Sequence, residues 1–145
     1  MVKVIIRSDP GEFQRFMSSP QGEPFRLVQR AVDDADVRSR AWARRLMTVR
    51  TGNLMNSHVK SPVVVQGKKL VAGLENTAKY AMFVHEGTRA HPIRPRRVKM
   101  LTWINPGGQQ VFARGVMHPG TKPRPWLLMT AQEVGRRHGF IVTKG

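Results

Sequence analysis

Apolar residues recur at alternating steps of three and four positions between residues 25 and 49. This spacing puts their side chains on one face of an α-helix, so it predicts a helix of about seven turns. Pro24 suits the first turn of this helix, because the missing N–H would have no partner there. We expect this face to pack on the core, although a stripe this long can also serve a partner. Its members are Phe25, Val28, Val32, Ala35, Ser39, Trp42, Leu46 and Val49.

The remaining faces of the predicted helix are rich in arginine. Three acidic residues in the middle of the helix do not balance these arginines, so we expect a basic outer face. The charged residues assigned to these faces are Arg26, Arg30, Asp33, Asp34, Arg38, Arg40, Arg44 and Arg45.

Short runs rich in β-branched and other apolar residues predict strands before and after this helix. Gly67 separates two such runs, and the sequence Asn-Pro-Gly-Gly at 105–108 separates two more, which predicts two antiparallel hairpins. The predicted strands are Val2–Arg7, 58–66, 68–76, 98–104 and 110–117.

Two further helices and three irregular segments complete the pattern. A short helix is expected at 78–85, with Tyr80, Phe83 and Val84 on its buried side, and a final helix at 126–137. The stretches 8–24, 88–97 and 118–125 contain several prolines and are expected to be irregular, apart from one helical turn at 13–17.

Strands that are grouped rather than alternating with helices indicate an α+β fold. We expect an antiparallel sheet of about four to five strands, packed by one long N-terminal helix and a C-terminal helix. Residues 1–24 form an N-terminal strand and an N-terminal arm in this scheme, and residues 25–145 form a single α+β domain.

Charge and composition narrow the classes of function. The chain has a formal net charge of +16 and no cysteine, which excludes disulfides, thiol nucleophiles and cysteine-ligated zinc. Residues 87–125 carry eight Arg or Lys and no acid, which favours an anionic partner, although a merely solvated basic surface is the alternative. The apolar runs are too short for a signal peptide or a membrane-spanning helix, so we expect a soluble protein without a membrane partner.

Candidate catalytic and metal-binding residues are few. His85-Glu86 begins like a zinc-binding HExxH motif, but the position three residues after Glu86 is Arg89, so the motif fails. A small ribonuclease that uses His58, His85, His91 and Glu86 is the main enzymatic alternative. No pattern in the sequence places two of these side chains opposite each other, so we predict no catalytic residues, metal or cofactor.

Nucleic-acid binding is the second alternative. Aromatic residues between basic residues can stack on single-stranded bases. Tyr80, Trp103 and Trp126 stand one per predicted element, which is a weak stacking surface, whereas unspecific contact with the phosphates of genomic DNA stays open.

Three stretches together resemble a known family, the neck and tail-component proteins of long-tailed bacteriophages, which includes the minor tail protein Z of lambda. Residues 49–57 are similar to the pattern V-x-T-G-x-L-x-x-S, and residues 80–88 to Y-A-x-x-V-x-x-G-T. Residues 118–127 are similar to H-P-G-T-x-x-x-P-F-L, with Trp126 in place of the usual phenylalanine. Order and spacing agree over 25–135, whereas residues 1–24 lie outside the resemblance.

The resemblance implies a structural, non-enzymatic virion protein that is made in the host cytoplasm and located at the head–tail junction. It implies a homo-oligomer, a ring that is expected to be hexameric, in contact with neck, tail terminator or tail tube proteins. The residues expected to maintain the fold are Thr51, Gly52, Leu54, Tyr80, Gly87, Thr88, Gly120 and Trp126. The arginines expected at contacts between subunits or with neighbouring rings are Arg89, Arg94, Arg96, Arg97 and Arg124.

Overall fold

The structure, a computed structural model, describes residues 1–8, 23–46 and 52–145. The long helix is confirmed as α1, Glu23–Leu46, with Pro24 in its first turn. Its apolar stripe is buried through the middle, from Val28 to Ser39, but Phe25 and Trp42 at the two ends are 40% and 38% exposed. The predicted helical turn at 13–17, together with Val49 and Thr51, lies outside the described residues.

One antiparallel sheet forms the base of the fold. Its strands are β1 (Val2–Arg7), β2 (His58–Lys60), β3 (Val64–Gln66), β4 (Lys69–Asn76) and β9 (Ile141–Lys144). Their order in the sheet is β2-β4-β1-β9, and β3 also pairs with β4 beside β2. The predicted hairpin around Gly67 is therefore confirmed, except that its first arm is interrupted at 61–63.

Two long helices cover the sheet and complete the core. Helix α4 (Trp126–His138) packs on α1, β1 and β9, and α1 also packs on β4. Alternate residues of β1, namely Val2, Val4 and Ile6, are buried, as period-two geometry requires of a strand with one covered face. The α+β class predicted from the sequence is confirmed.

Strand β1 lies in the middle of this sheet. It pairs with β4 from Val2↔Asn76 to Arg7↔Val71 and with β9 from Val4↔Lys144 to Arg7↔Ile141. The strand within 1–24 thus belongs to the same sheet as the strands within 25–145. Strand β9 has no counterpart in the sequence-based prediction.

Two short helices connect the sheet to the rest of the chain. Helix α2 (Asn53–Asn56) was not expected, and α3 (Ala81–Glu86) replaces the helix expected at 78–85. The predicted burial of Tyr80 and Phe83 is wrong, since they are 40% and 58% exposed. Ala81 and His85 are buried instead, because residues four apart share one helical face.

Residues 88–125 contain more regular structure than their prolines predict. Strand β5 (His91–Ile93) pairs with β8 (Val116–His118), which corrects the expectation that 88–97 is irregular. Strands β6 (Leu101–Ile104) and β7 (Gln110–Ala113) form the second predicted hairpin, which is confirmed. Among the described strands, β5 pairs with β8 alone, so its other edge is unpaired. Pro92 fits in β5 because a missing N–H costs little on an edge strand.

Candidate assembly interface

Residues 89–120, which we call the arm, leave and re-enter the domain at one point. There the N–H of Thr88 donates to the carbonyl oxygen of Thr121 at 3.0 Å, and the N–H of Thr121 donates to that of Thr88 at 3.1 Å. The two threonine hydroxyls are also 3.1 Å apart. We call Gly87, Thr88, Gly120 and Thr121 the anchor of the arm.

Each anchor threonine follows a glycine, and any other residue would be strained at that glycine's position. Gly87 and Gly120 have φ angles of 74° and 87°, where residues with a Cβ are disfavoured. A Cβ on Gly87 would stand 2.5 Å from the Thr121 carbonyl oxygen, and a Cβ on Gly120 would stand still closer to the Thr88 carbonyl oxygen. The role expected of these glycines in maintaining the fold therefore has a physical reason. Without a side chain at either position, the two segments of the anchor can approach each other closely.

The second and third family-like stretches, together with His58 directly after the first, meet around Trp126. This indole is 2% exposed and makes edge contacts with His85, at 5.4 Å between ring centroids, and with His58, at 6.5 Å. His85 belongs to the second stretch, and His58 directly follows the first. The N–H of Arg124 also donates to the carbonyl oxygen of Val84 at 3.0 Å. The residues that recur in the pattern therefore hold the anchor to the core.

A polar network beneath Trp126 was not predicted from the sequence. Arg40, assigned to the outer face of α1, turns inward and donates to the carbonyl oxygens of Met55 at 2.9 Å and His58 at 3.0 Å. Asp36 accepts from its Nε at 2.9 Å. Asn76 donates to the carbonyl oxygen of Leu54 at 2.7 Å. Leu54 itself is buried, as expected, and Gly52 before it has a φ of 66°.

His58 is held neutral within this network. Trp126 Nε1–H donates to His58 Nε2 at 3.4 Å, so the ring proton sits on Nδ1, which is 3.0 Å from the Met55 carbonyl oxygen. Burial lowers the pKa of His58 below its ordinary value of 6.5, because the charged ring would lose its hydration. A neutral histidine at this position contributes packing and hydrogen bonds rather than charge.

His85 and Glu86 end α3 as the sequence indicates, but His85 is not a surface residue. It is 2% exposed, and its Nδ1 lies 2.8 Å from Glu86 Oε1. Glu86 also accepts from Lys144 Nζ at 2.6 Å, which connects α3 with β9. This hydrogen bond with Lys144, followed by the one with His85, lowers the pKa of Glu86 below 4.5.

His91 and His118, expected in separate loops, are directly opposite each other on β5 and β8. Their ring centroids are 5.1 Å apart. His91 Nδ1 lies 2.9 Å from the Arg89 carbonyl oxygen, and His118 Nδ1 accepts from the Gly120 N–H at 3.0 Å. The expectation that both histidines lie in irregular loops is therefore wrong, because strand pairing in the arm brings them together.

The outer part of the arm exposes large apolar side chains. Within the described parts of the chain, strands β6 and β7 pack chiefly against each other, so this two-stranded ribbon makes few contacts with the core. Ile104 is 72% exposed, Phe112 58% and Trp103 41%. A two-stranded hairpin alone is only marginally stable in water, and clustered apolar exposure marks surfaces that another molecule covers.

The arginines predicted at interfaces all lie on the arm or beside its anchor. Arg89, Arg94, Arg96, Arg97 and Arg124 are exposed. Within the arm itself there are six basic residues and no acidic one: Arg89, Arg94, Arg96, Arg97, Lys99 and Arg114. Apolar and cationic groups thus share the same projecting element.

The comparisons with known proteins give no relative. No protein-family model, curated protein or solved structure matches this chain. Among the described residues, no three histidine, aspartate or glutamate side chains gather where they could hold a metal ion. Within 1–8, 23–46 and 52–145, no helix has the length and apolar character needed to cross a bilayer.

Proposed function

We propose that this chain is a structural, non-enzymatic subunit of the head–tail joint of a tailed bacteriophage. In this proposal it assembles into a ring, sixfold as in the family it resembles, between the head connector and the tail. Neighbouring subunits and the adjacent neck, tail terminator or tail tube proteins cover its arm. Its location is the virion.

The observation that carries the proposal is the arm and its anchor. An enzyme loop of this length would normally present polar groups towards a cleft. This arm instead exposes the apolar side chains of Trp103, Ile104 and Phe112 on a two-stranded hairpin. Gly87, Thr88, Gly120 and Thr121, which belong to the family-like stretches, hold the base of the arm. Such an element gains stability when a neighbouring protein buries it, which is the behaviour of an assembly subunit.

The histidine geometry also supports a non-catalytic role. His58 and His85, two of the three histidines in the ribonuclease alternative, are 5% and 2% exposed and pack on Trp126. His91 and His118 do reach the surface, but each already uses Nδ1 in a hydrogen bond with the backbone. Of the described residues that line the cavity bordered by these two histidines, none is acidic.

The apolar part of the proposal is tested by Ile104→Asp combined with Phe112→Asp. This double variant should fold, since both side chains are exposed, but heads and tails should remain separate particles in electron micrographs of infected cells. The matched control is Val64→Asp with Val65→Asp, which alters two strand valines outside the arm that are 45% and 50% exposed. Normal virions from the arm variant would overturn the proposal.

The cationic part is tested by changing Arg94, Arg96 and Arg97 together to Glu. A contact with a carboxylate of an adjacent neck or tail protein would become a like-charge clash, repeated at each position of the ring. Changing Arg26, Arg30 and Arg44 on α1 to Glu is the control with an identical change in charge. A DNA-binding protein would instead form normal particles and lose salt-dependent DNA affinity, with the salt slope reduced by about three.

A further inference from the structure

A cavity of about 620 Å³ lies between α3, the anchor and the first strand pair of the arm. We infer that it binds an extended segment of a different protein, in which an aromatic or aliphatic side chain stands next to carboxylates. The inference goes beyond the proposed function, because it concerns a cavity at the base of the arm rather than the exposed hairpin β6–β7 and holds for any assembly to which the chain belongs. The volume of the cavity falls in the range of cavities that hold a side chain or small ligand.

The floor of the cavity is apolar and exposed. Tyr80, Phe83 and Val84 line it from α3, and Phe83 is 58% exposed despite being one of the largest apolar side chains of the domain. These residues are exposed because Ala81 and His85 occupy the buried face of α3. Covering Phe83 with a partner's side chain would remove apolar surface from water on both molecules.

The rim supplies donors for carboxylates. Lys122 and Arg124 line the cavity, and Pro123 and Pro125 on either side of Arg124 limit the backbone's freedom. His118 accepts the Gly120 N–H at Nδ1, which leaves its Nε2–H as the group that can donate to a ligand. The hydroxyls of Thr88 and Thr121 complete the polar border.

Charge complementarity identifies the partner as a different, acidic protein rather than a second copy of this chain. The chain carries +16, and five of its seven described carboxylates already lie in ion pairs. Those five are Asp33, Asp34, Asp36, Glu86 and Glu133. A second copy would therefore bring net repulsion to this rim.

The shape of the cavity favours a peptide over a single-stranded nucleic acid. Proteins that bind single strands offer successive stacking surfaces along a groove lined with cations. Across the described ranges, the phenyl rings that line the cavity are those of Tyr80 and Phe83 on one short helix, and its cationic side chains are those of Lys122 and Arg124.

The test is a titration of the ¹⁵N-labelled full chain with the capped synthetic peptide EDFED, followed by NMR. We expect shifted resonances for residues 80–88 and 118–124. Phe83→Ala should weaken binding about tenfold, as burial of one aromatic ring predicts, and Lys122→Glu should weaken it severalfold. The matched controls are Met82→Ala, 48% exposed on the same helix but outside the cavity lining, and Lys68→Glu, which should change affinity less than about twofold.

Three results would overturn the inference. Equal binding of EDAED would mean unspecific attraction to a basic chain, and equal effects of the control variants would place the peptide elsewhere. Tighter binding in the same cavity by oligo-dT, or by a peptide with the sequence of residues 9–18 of this chain, would assign it to nucleic acid or to a second copy.

Discussion

Replacing Gly120 by alanine tests the anchor of the arm with the smallest change in the side chain. The added Cβ meets two costs that the structure separates. A φ of 87° disfavours any residue with a Cβ by about 1–2 kcal/mol. The Cβ also collides with the backbone carbonyl of Thr88, so the two strands of the anchor must move apart.

The second cost follows from the hydrogen bonds that this movement breaks. The reciprocal pair between Thr88 and Thr121 contributes about 0.5–1.5 kcal/mol per bond, so its loss costs about 1–3 kcal/mol. The total expected for Gly120→Ala is about 2–5 kcal/mol in the free energy of unfolding. Gly108→Ala is the control, because its φ of 79° imposes similar strain while no atom lies within 4 Å of the added Cβ.

Urea unfolding followed by circular dichroism and tryptophan fluorescence measures both variants. The difference between them isolates the close approach at the anchor from backbone strain alone. Amide hydrogen exchange then shows where the loss acts, since arm residues should exchange faster in Gly120→Ala and not in Gly108→Ala. If the two variants unfold within about 0.5 kcal/mol of each other, the anchor contributes little and the reasoning fails.

Three further predictions concern the network beneath Trp126. Trp126→Phe should cost about 1–3 kcal/mol because His58 Nε2 loses its donor in a buried site, whereas Trp103→Phe on the arm should cost under about 0.5 kcal/mol in the same urea assay. Arg40→Leu should cost about 2–3 kcal/mol through loss of its bonds to Met55 and His58, while Arg44→Leu, exposed one turn later, should be nearly neutral. The contribution of His58 to stability should be fully present above pH 6.5 and should be lost as the pH drops from 6.5 to the lower pKa of folded His58, since the unfolded chain takes up the proton first. An unchanged slope of stability against pH in His58→Gln would contradict this.

The sequence predicts the elements whose residues repeat a pattern over many positions. Helix α1, helix α4 and both hairpins follow from periodicity and from the glycine turns. Strand β9 was missed because it has only four residues, and its position is determined by pairing with β1, which is distant in the sequence. The pairing of β5 with β8 was missed for the same reason, since prolines suggest loops unless a partner strand is known.

The errors at the site arise from side-chain direction. Tyr80 and Phe83 are apolar, so they were expected in the core, yet the buried face of α3 carries Ala81 and the polar His85. Only the adjacent Trp126, 41 positions later, makes a buried histidine favourable. Arg40 was likewise placed outside because its inward partners are backbone carbonyls, which no pattern of side chains reveals.

The position of β1 between β4 and β9 determines when the domain can complete its fold during synthesis. Residues 2–7 leave the ribosome before their second partner, 141–144, which emerges only after more than 130 further residues. The contacts within the arm are local by comparison, so its strand pairs can form while one edge of β1 is still open. Contacts between such distant segments form slowly, and an open strand edge can pair with another chain. Newly made chains are therefore most vulnerable to aggregation before β9 docks.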